Sequence, residues 1–367
     1  MAAEYPEKIS YDRDNSPDDR EPLLELRGVS KAYPITGKHL IPGRPRVHAV
    51  QDVSFKVYPG ETLGLVGESG SGKSTLGRQI VGLEQPTEGQ ILYQGRDLAA
   101  MRPRDLRQIR TELQMVFQDP NSSLNPRKPV YDILADPLRY HKVVPKAQVN
   151  AEVQRLLELV GLPRSSVTRY PFEFSGGQRQ RLGIAKALSL KPKLIIQDEP
   201  VSALDVSIQA QILNLLLDIQ QEVGLTYIFI AHGLPAVRYV SDRIAVMYLG
   251  HIVETADNED IFADPWHPYT MALARAIPPP DPTLRNDARP LKGELPSNVN
   301  PPAGCPFHTR CPWAEPICRE VNPPFEELNL PDGRDTRGHQ VACHVAKREL
   351  EAGRELPSLT YKEEASN

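Results

Sequence analysis

No cysteine occurs in the first 300 residues of this chain; the four it has, Cys305, Cys311, Cys318 and Cys343, all come later. A chain of 367 residues is long enough to bury a core without disulfides. At roughly 150 residues per domain it reads as about two domains. Long apolar runs are missing as well: none approaches the roughly 18–20 residues a membrane-spanning helix needs. Charge of one sign is lacking too. The formal net charge is −4, with 25% charged residues and acids and bases interspersed. That balance speaks against a dedicated nucleic-acid binder, which would show a basic excess. The opening stretch, Met1 to Arg20, is polar and acidic and has no apolar centre. It reads as a disordered lead and not as a secretory signal. These absences point to a cytosolic protein that, if it serves a membrane, docks on other subunits. In a reducing compartment four clustered cysteines favour a metal over disulfides.

What is present is organised around Gly67-Glu68-Ser69-Gly70-Ser71-Gly72-Lys73-Ser74, a full G-x-x-x-x-G-K-S. The apolar run Leu63-Gly64-Leu65-Val66 precedes it as a buried strand, and a helix start over Thr75 to Gly82 follows. Strand, glycine loop and helix are the context a phosphate-binding loop requires. Glycines let backbone N–H groups turn inward around a polyphosphate, and the helix N-terminus adds partial positive charge. Lys73 can reach β- and γ-phosphates, and the Ser74 hydroxyl can ligate Mg²⁺.

The other elements read in order. Leu23–Ser30, Val47–Tyr58 and Gln90–Tyr93 have strand character, so the first hundred residues mix a parallel core strand with antiparallel edge strands. Met115 to Gln118 is a short strand ending in an amide, followed by turn formers from Asp119 to Pro126. Val149, Val153, Leu156, Leu157 and Val160 form one helical stripe, stopped by Gly161 and Pro163. Phe174-Ser175-Gly176-Gly177-Gln178 heads a helix to about Leu190, with Ser175 as its N-cap. The two glycines leave amides open to a ligand, although a plain capped turn fits these residues equally well. Leu194 to Pro200 is a buried strand ending in Asp198 and Glu199. In a phosphate-loop protein Asp198 can hold the Mg²⁺ shell, and Glu199 can orient or deprotonate an attacking water. A second stripe, Ile208 to Val223, ends at Gly224. Thr226–Ala231 is a strand with His232 at its C-terminal end, where open α/β sheets place ligands. His232 is read either as a structural histidine or as a γ-phosphate contact. Ile244 to Thr255 reads as a closing hairpin around Gly250-His251. Prolines crowd from Pro278 to Pro302 as a semi-rigid connecting arm.

Together these motifs resemble the ATP-binding cassette ATPases over about residues 22–256. Phe174–Gln178 stands where that family has its signature loop, Ser202-Ala203-Leu204-Asp205 matches the loop after its catalytic glutamate, and Gln118 matches its linking glutamine. Arg169 to Arg181, Asp198 to Ser207, His267-Pro268-Tyr269-Thr270 and Gly304 to Pro312 are similar to the bacterial oligopeptide/dipeptide importer ATPases, extending the resemblance to residues 22–345.

The resemblance implies a P-loop NTPase (RecA-like) α/β core with an antiparallel β subdomain, a helical signature subdomain and a small C-terminal cysteine-bearing extension. The expected divisions are a lead over 1–21, an ATPase domain over 22–265 with its helical part at about 119–186, a C-terminal unit over 266–346, and a mobile tail over 347–367. It implies ATP and Mg²⁺. Gly67, Glu68, Ser69, Gly70, Ser71, Gly72, Lys73, Ser74 and Thr75 would contact the phosphates, and Tyr33 would stack on adenine. Ser175, Gly176, Gly177 and Gln178 would close on the γ-phosphate of a nucleotide bound to a partner cassette, itself expected to be a paralogue, and Asp205 is a further nucleotide-binding candidate. Ser74, Gln118 and Asp198 would hold Mg²⁺, and Glu199, His232 and Gln118 would form the catalytic group. Two transmembrane permease subunits and an extracytoplasmic substrate-binding protein are the further partners, with no nucleic acid, and the cytoplasmic face of the membrane is the location.

This sequence departs from the family at Ala231, Gly233, Pro235 and Lys186, none of them a catalytic group. The cysteine spacing is C-x5-C-x6-C-x24-C, unlike the C-x2-C pairs of common zinc ribbons. Four cysteines suit an iron–sulfur cluster, and some peptide-importer ATPases carry a [4Fe-4S] cluster here. Zinc and no metal stay open, with His308, His339 and His344 as weaker ligand candidates. The expected function is the ATP-hydrolysing subunit of a peptide importer. A soluble cassette of translation or repair, a phosphate-loop kinase, and an importer of nickel, glutathione or sugar-linked solutes are the alternatives.

Overall fold

The computed structural model describes residues 20–35, 45–119, 123–277, 291, 293–333, 336 and 338–359. The expected lead up to residue 19, most of the loop after Tyr33 and the prolines of 278–290 lie outside the described residues.

Its first half holds β1 (Leu24–Pro34), β2 (Arg46–Val57), β3 (Thr62–Val66), α1 (Lys73–Ile80), β4 (Glu88–Tyr93), β5 (Arg96–Asp97), α2 (Pro103–Glu112) and β6 (Leu113–Val116). The middle holds α3 (Val130–Tyr140), α4 (Val149–Leu159), α5 (Gly176–Leu188), β7 (Leu194–Asp198), α6 (Val206–Val223), β8 (Thr226–Ala231), α7 (Leu234–Val240), β9 (Arg243–Tyr248) and β10 (His251–Asp257). The last part holds α8 (Asn258–Ala263), α9 (Pro268–Arg275), α10 (Pro316–Glu320), β11 (Glu326–Glu327), β12 (Gln340–Val341) and α11 (His344–Glu351).

Two sheets result. The antiparallel strands form a sheet of their own in the order β2-β1-β4-β5, the antiparallel β subdomain that the resemblance implied. The main sheet runs β11-β12-β10-β9-β3-β8-β7-β6, parallel from β9 to β6. Its centre is covered on both faces, and the strand period of two divides the residues between two cores. Ile228 and Ile230 pack with Leu63, Leu65, Leu194, Ile196 and the antiparallel sheet. Tyr227, Phe229 and Ala231 pack on the other side with Ile195, Ile244, Val246 and the helices from α3 to α7. Burying both faces explains why these strands read as unbroken apolar runs.

Local signals act as the sequence implies. Gly224 closes α6 in the left-handed conformation at φ 69°. Leu249 and Gly250, with φ 46° and 87°, form the two-residue turn between antiparallel β9 and β10. Helix α3 was not anticipated, because Pro137 lies inside it and reads as a stop.

The C-terminal unit continues the main sheet, since β12 pairs with β10 at Glu254↔Val341. The tail expected to be mobile from Lys347 is helical to Glu351, which corrects that expectation. The Cys343 Sγ caps α11 at the Ala346 N–H, and Val341 and Ala346 form a small core with Trp266 and Leu328. Glu254 fastens this seam. It is fully buried and accepts from the N–H groups of Trp266 (2.6 Å) and His267 (3.0 Å). The His339 ring, stacked on Trp266, lies 2.8 Å away from the same carboxylate.

Candidate functional site

The parallel strands deliver their polar residues to one end of the sheet. β3 leads into Gly67–Gly72, which wraps so tightly that a Cβ at Gly67 would lie 2.0 Å from the Met247 carbonyl oxygen. A Cβ at Gly72 would lie 2.0 Å from that of Ala49. Neither neighbour can move, because both are strand backbone, so glycine is required for packing as well as for conformation. Gly72 starts α1 at φ 105° and provides no side-chain cap, leaving the first-turn amides facing the loop. Ser71 is buried and Ser69 is exposed at the loop tip.

Lys73 lies inside this cradle. Its Nζ donates to the carbonyls of Gly67 (2.7 Å) and Glu68 (3.0 Å) and to Ser71 Oγ (3.3 Å). Burial pushes the ammonium down to about 8, against the opposing pull of Glu199, Asp198 and Glu68. Glycines that admit backbone, a buried cation and open helix amides fit a polyphosphate.

β7 and β8 bring the remaining groups. Ser74 Oγ donates to Asp198 Oδ1 at 2.8 Å. Burial raises the Asp198 pKa, against the Ser74 hydrogen bond and the charges of Arg78 and Lys73. Glu199 follows at φ 50°, its N–H bound to the Ile230 carbonyl at 3.0 Å. Its carboxylate is 4% exposed and lies between Gln118 Nε2, 2.7 Å from Oε2, and the His232 Nε2, which pairs with Oε1. His232 Nδ1 is 3.5 Å from Lys73 Nζ. Thus Gln118, Glu199, His232 and Lys73 form one continuous chain of contacts, with Ser74 and Asp198 beside it. Oxygen donors here fit Mg²⁺, which takes few protein ligands and completes its shell with waters and phosphates.

At Gly233, one of the departures, there is room for a side chain. Gly233 has ordinary extended backbone, and a Cβ there would meet only Pro235 Cδ at 3.7 Å. Lys186 reaches from α5 to the Ser123 carbonyl at 2.6 Å, and burial lowers its pKa.

Tyr33 stands beside α1, its hydroxyl bound to Glu84, which also accepts from Arg78 Nε at 2.7 Å. Arg78 in turn donates to Thr75 Oγ1 at 3.2 Å. The glycine-rich start of α5 packs on the segment that follows β7. Ser175 and Gln178 cap each other, with Gln178 N–H to Ser175 Oγ at 3.4 Å and Ser175 N–H to Gln178 Oε1 at 3.1 Å. A Cβ at Gly177 would lie 2.5 Å from Ile208 Cγ2, and one at Gly176 3.4 Å from Leu204 Cδ2. Asp205 is the N-cap residue of α6. The predicted residues therefore fall into two groups: Ser175–Gln178 packs with the Leu204–Ile208 segment, while Gly67–Thr75, Asp198, Glu199, Gln118 and His232 form the other.

Sequence reasoning missed three residues on the phosphate loop. Arg310 grips Glu68 with two hydrogen bonds of 2.8 and 3.1 Å. Tyr269 Oη accepts from the Glu68 N–H at 2.9 Å, and Asn298 Nδ2 donates to the Gly70 carbonyl at 3.0 Å. Tyr269 and Arg310 belonged to motifs already singled out, though neither was assigned to the loop; Asn298 carried no local signal.

Cys305, Cys311, Cys318 and Cys343 are free thiols. They gather in one region: the Cys311 thiol feels those of Cys343, Cys305 and Cys318, and the Cys305 N–H donates to the Cys318 carbonyl at 2.9 Å. Burial pushes Cys305 up to about 11 and Cys343 up to about 12. Among the described residues, however, no group of three or more His, Cys, Asp or Glu is disposed to hold a metal ion. The spacing expected to make a cluster does not produce a ready ligand set as the chain is folded. No helix among the described residues is long and apolar enough to cross a membrane.

The family model described as ABC transporter matches residues 50–202, and that described as oligopeptide/dipeptide transporter, C-terminal region, matches 253–318. The oligopeptide transport ATP-binding protein AppF of Bacillus subtilis is 50% identical over 329 residues, covering 89% of this chain and 98% of the relative. The oligopeptide transport ATP-binding protein OppF of Escherichia coli is 50% identical over 312 residues, covering 84% and 93%. Among solved structures, a dimeric ATP-binding cassette in a post-hydrolysis state bound to ADP and Pi is similar with a TM-score of 0.57. It is 27% identical and covers 64% of this chain and 98% of its own. The cbiO1 protein of Clostridium perfringens, part of the ABC transporter complex cbiONQ, gives 0.58 and 25%, covering 67% and 92%.

Proposed function

This chain belongs to the ABC transporter ATPases that carry an oligopeptide/dipeptide transporter C-terminal region, and from that premise we propose how its residues divide the work. The protein is the ATP-binding and ATP-hydrolysing subunit of a peptide importer. The observation that supports the assignment of roles most strongly is the contact chain Gln118–Glu199–His232–Lys73 beside the glycine cradle.

Lys73 and the amides of Gly67–Thr75 hold the triphosphate, and Tyr33 stacks on the adenine. When the nucleotide arrives, Lys73 exchanges three hydrogen bonds within its own loop for phosphate oxygens. Ser74, Gln118 and Asp198 would hold Mg²⁺, which neutralises charge on the phosphates. Glu199 orients the attacking water and takes its proton, and its position off the end of β7 aims the carboxylate inward. His232 fixes Glu199 from the other side and contacts the γ-phosphate. The phosphoryl group passes to water, with ADP as the leaving group.

Ser175–Gln178 and Asp205 serve the nucleotide of a partner cassette. The dimeric state named for a structural relative supports this. Permease subunits, a paralogous cassette and a substrate-binding protein complete the assembly at the cytoplasmic face of the membrane. We keep the expected divisions at residues 22–265 and 266–346 as functional units. A structural or regulatory [4Fe-4S] cluster on the cysteines would require the gathered thiols to rearrange into a ligand set, since they do not form one as the chain is folded; anaerobically purified protein devoid of iron and acid-labile sulfide rules the cluster out. The assembled importer, purified with its permeases, should hydrolyse ATP faster with binding protein and peptide present. A rate indifferent to every peptide tried would contradict the substrate assignment.

A further inference from the structure

Among the described residues, three from the C-terminal region hydrogen-bond to the phosphate loop, and the contacts differ in kind. Tyr269 and Asn298 satisfy backbone groups of Glu68 and Gly70. Arg310 instead takes a charge. Its guanidinium meets the Glu68 carboxylate in fork-to-fork geometry, the strong form of an ion pair. The Arg310 side chain is 7% exposed and that of Glu68 30%.

Glu68 is in an awkward place for an anion site. It is the second residue of the loop, and its carboxylate is close enough to act on the Lys73 ammonium. A triphosphate in the cradle would meet that negative charge at short range. Pairing with Arg310 cancels the charge and turns the carboxylate toward the C-terminal region.

Arg310 is also rigidly held. Its N–H donates to the Phe307 carbonyl at 3.0 Å, closing a turn. Phe307 is fully buried and meets Tyr248 and Tyr269 with ring centroids 5.2 and 5.5 Å apart. The guanidinium lies 5.9 Å from the centroid of the Tyr248 ring. This support fixes the fork before any nucleotide arrives, so little ordering is left for binding to supply. The next residue is Cys311, which makes Arg310 the direct link between the cysteine region and the loop.

We infer that Arg310 is a positioning residue for nucleotide binding: it neutralises and anchors Glu68, so that the C-terminal region sets the affinity of the phosphate loop for a nucleoside triphosphate. The inference rests on reading Gly67–Ser74 as the triphosphate cradle. Arg310→Gln leaves Glu68 charged and unanchored at the mouth of the cradle. Arg310→Lys keeps the charge but loses the fork, since a lysine cannot present two parallel donors.

The test is the dissociation constant of Mg-ATP for the full chain, together with KM and kcat, in four variants whose fold is checked by thermal melting. Arg310→Gln should weaken binding roughly tenfold, in the range of ordinary coupling between sites, with the loss falling mainly on KM. Arg310→Lys should lie between it and the native chain, and serves alone if the glutamine variant does not fold. Arg310→Gln combined with Glu68→Gln should recover most of the loss, which simple damage to the C-terminal packing would not allow. Native affinity in both Arg310 variants, or a double variant as weak as Arg310→Gln, overturns the inference. Lys73→Ala separates the two levels: if it leaves ATP binding intact, the cradle reading itself fails.

Discussion

Two helices of this molecule start on glycine-rich turns, and they are built in opposite ways. At α1 the glycines are demanded by backbone: a Cβ on Gly67 or Gly72 would strike a strand carbonyl at 2.0 Å. The helix start has no side-chain cap, and a buried lysine fills the space that its amides face. At α5 the turn caps itself through Ser175 and Gln178, and its close neighbour is a side chain, Ile208. The first is a finished anion cradle. The second holds its donors in a local cap, which on the reading proposed above it exchanges for an anion supplied from outside. The difference teaches that similar composition can encode two unlike helix starts, one braced by strand backbone and left uncapped, the other capped by its own side chains.

The largest expected effect breaks the first side of this comparison. Glu199→Gln should lower turnover by roughly 10²–10⁴ while ATP still binds, measured as phosphate release and nucleotide titration. An unchanged rate would remove Glu199 from its role. Next, Ser175→Arg fills the α5 turn and should reduce turnover by roughly 10²–10³, while one chain still binds ATP in its own cradle. Loss of that binding would place both turns in one site and erase the distinction.

A smaller effect sharpens the steric contrast. Gly72→Ala should cost about 3 kcal/mol in stability, because both φ and the Ala49 carbonyl oppose it. Gly177→Ala should cost about 1 kcal/mol and be relieved by Ile208→Val, since only a side chain must move. Equal costs in chemical denaturation would contradict the comparison. The gentlest probe is pH. Lys73 has its pKa depressed to about 8 in the free protein, so it is charged below that value and loses its charge above. ATP affinity should be full below pH 8 and fall as pH rises through it, by at most about tenfold per unit. Affinity flat to pH 10 would mean that the lysine charge does not hold the phosphates.

Much of the cradle was legible in the sequence because it is local. Gly67 to Ser74 is contiguous, and Asp198, Glu199 and His232 follow apolar runs whose ends the strand period defines. Their convergence follows from parallel strands sharing a direction. The grip on Glu68 was not legible. Tyr269 and Arg310 lie about 200 and 240 positions downstream, and no spacing rule links such distant partners. The extension of the main sheet by β12 was hidden in a two-residue strand, too short to show a period. Helix α3 was masked by Pro137. The cysteines show the limit from another side: their spacing was plain, yet spacing alone did not reveal that their thiols gather without forming an ion-ready group.

The central claim is that the two turns act on one nucleotide only when two cassettes meet. It is tested most directly by the ATP turnover per chain of the purified protein, followed from micromolar to low nanomolar concentration at saturating Mg-ATP. The account predicts a specific rate that falls toward zero on dilution and is restored by adding partner cassette. A specific rate that stays constant across the whole range would contradict it.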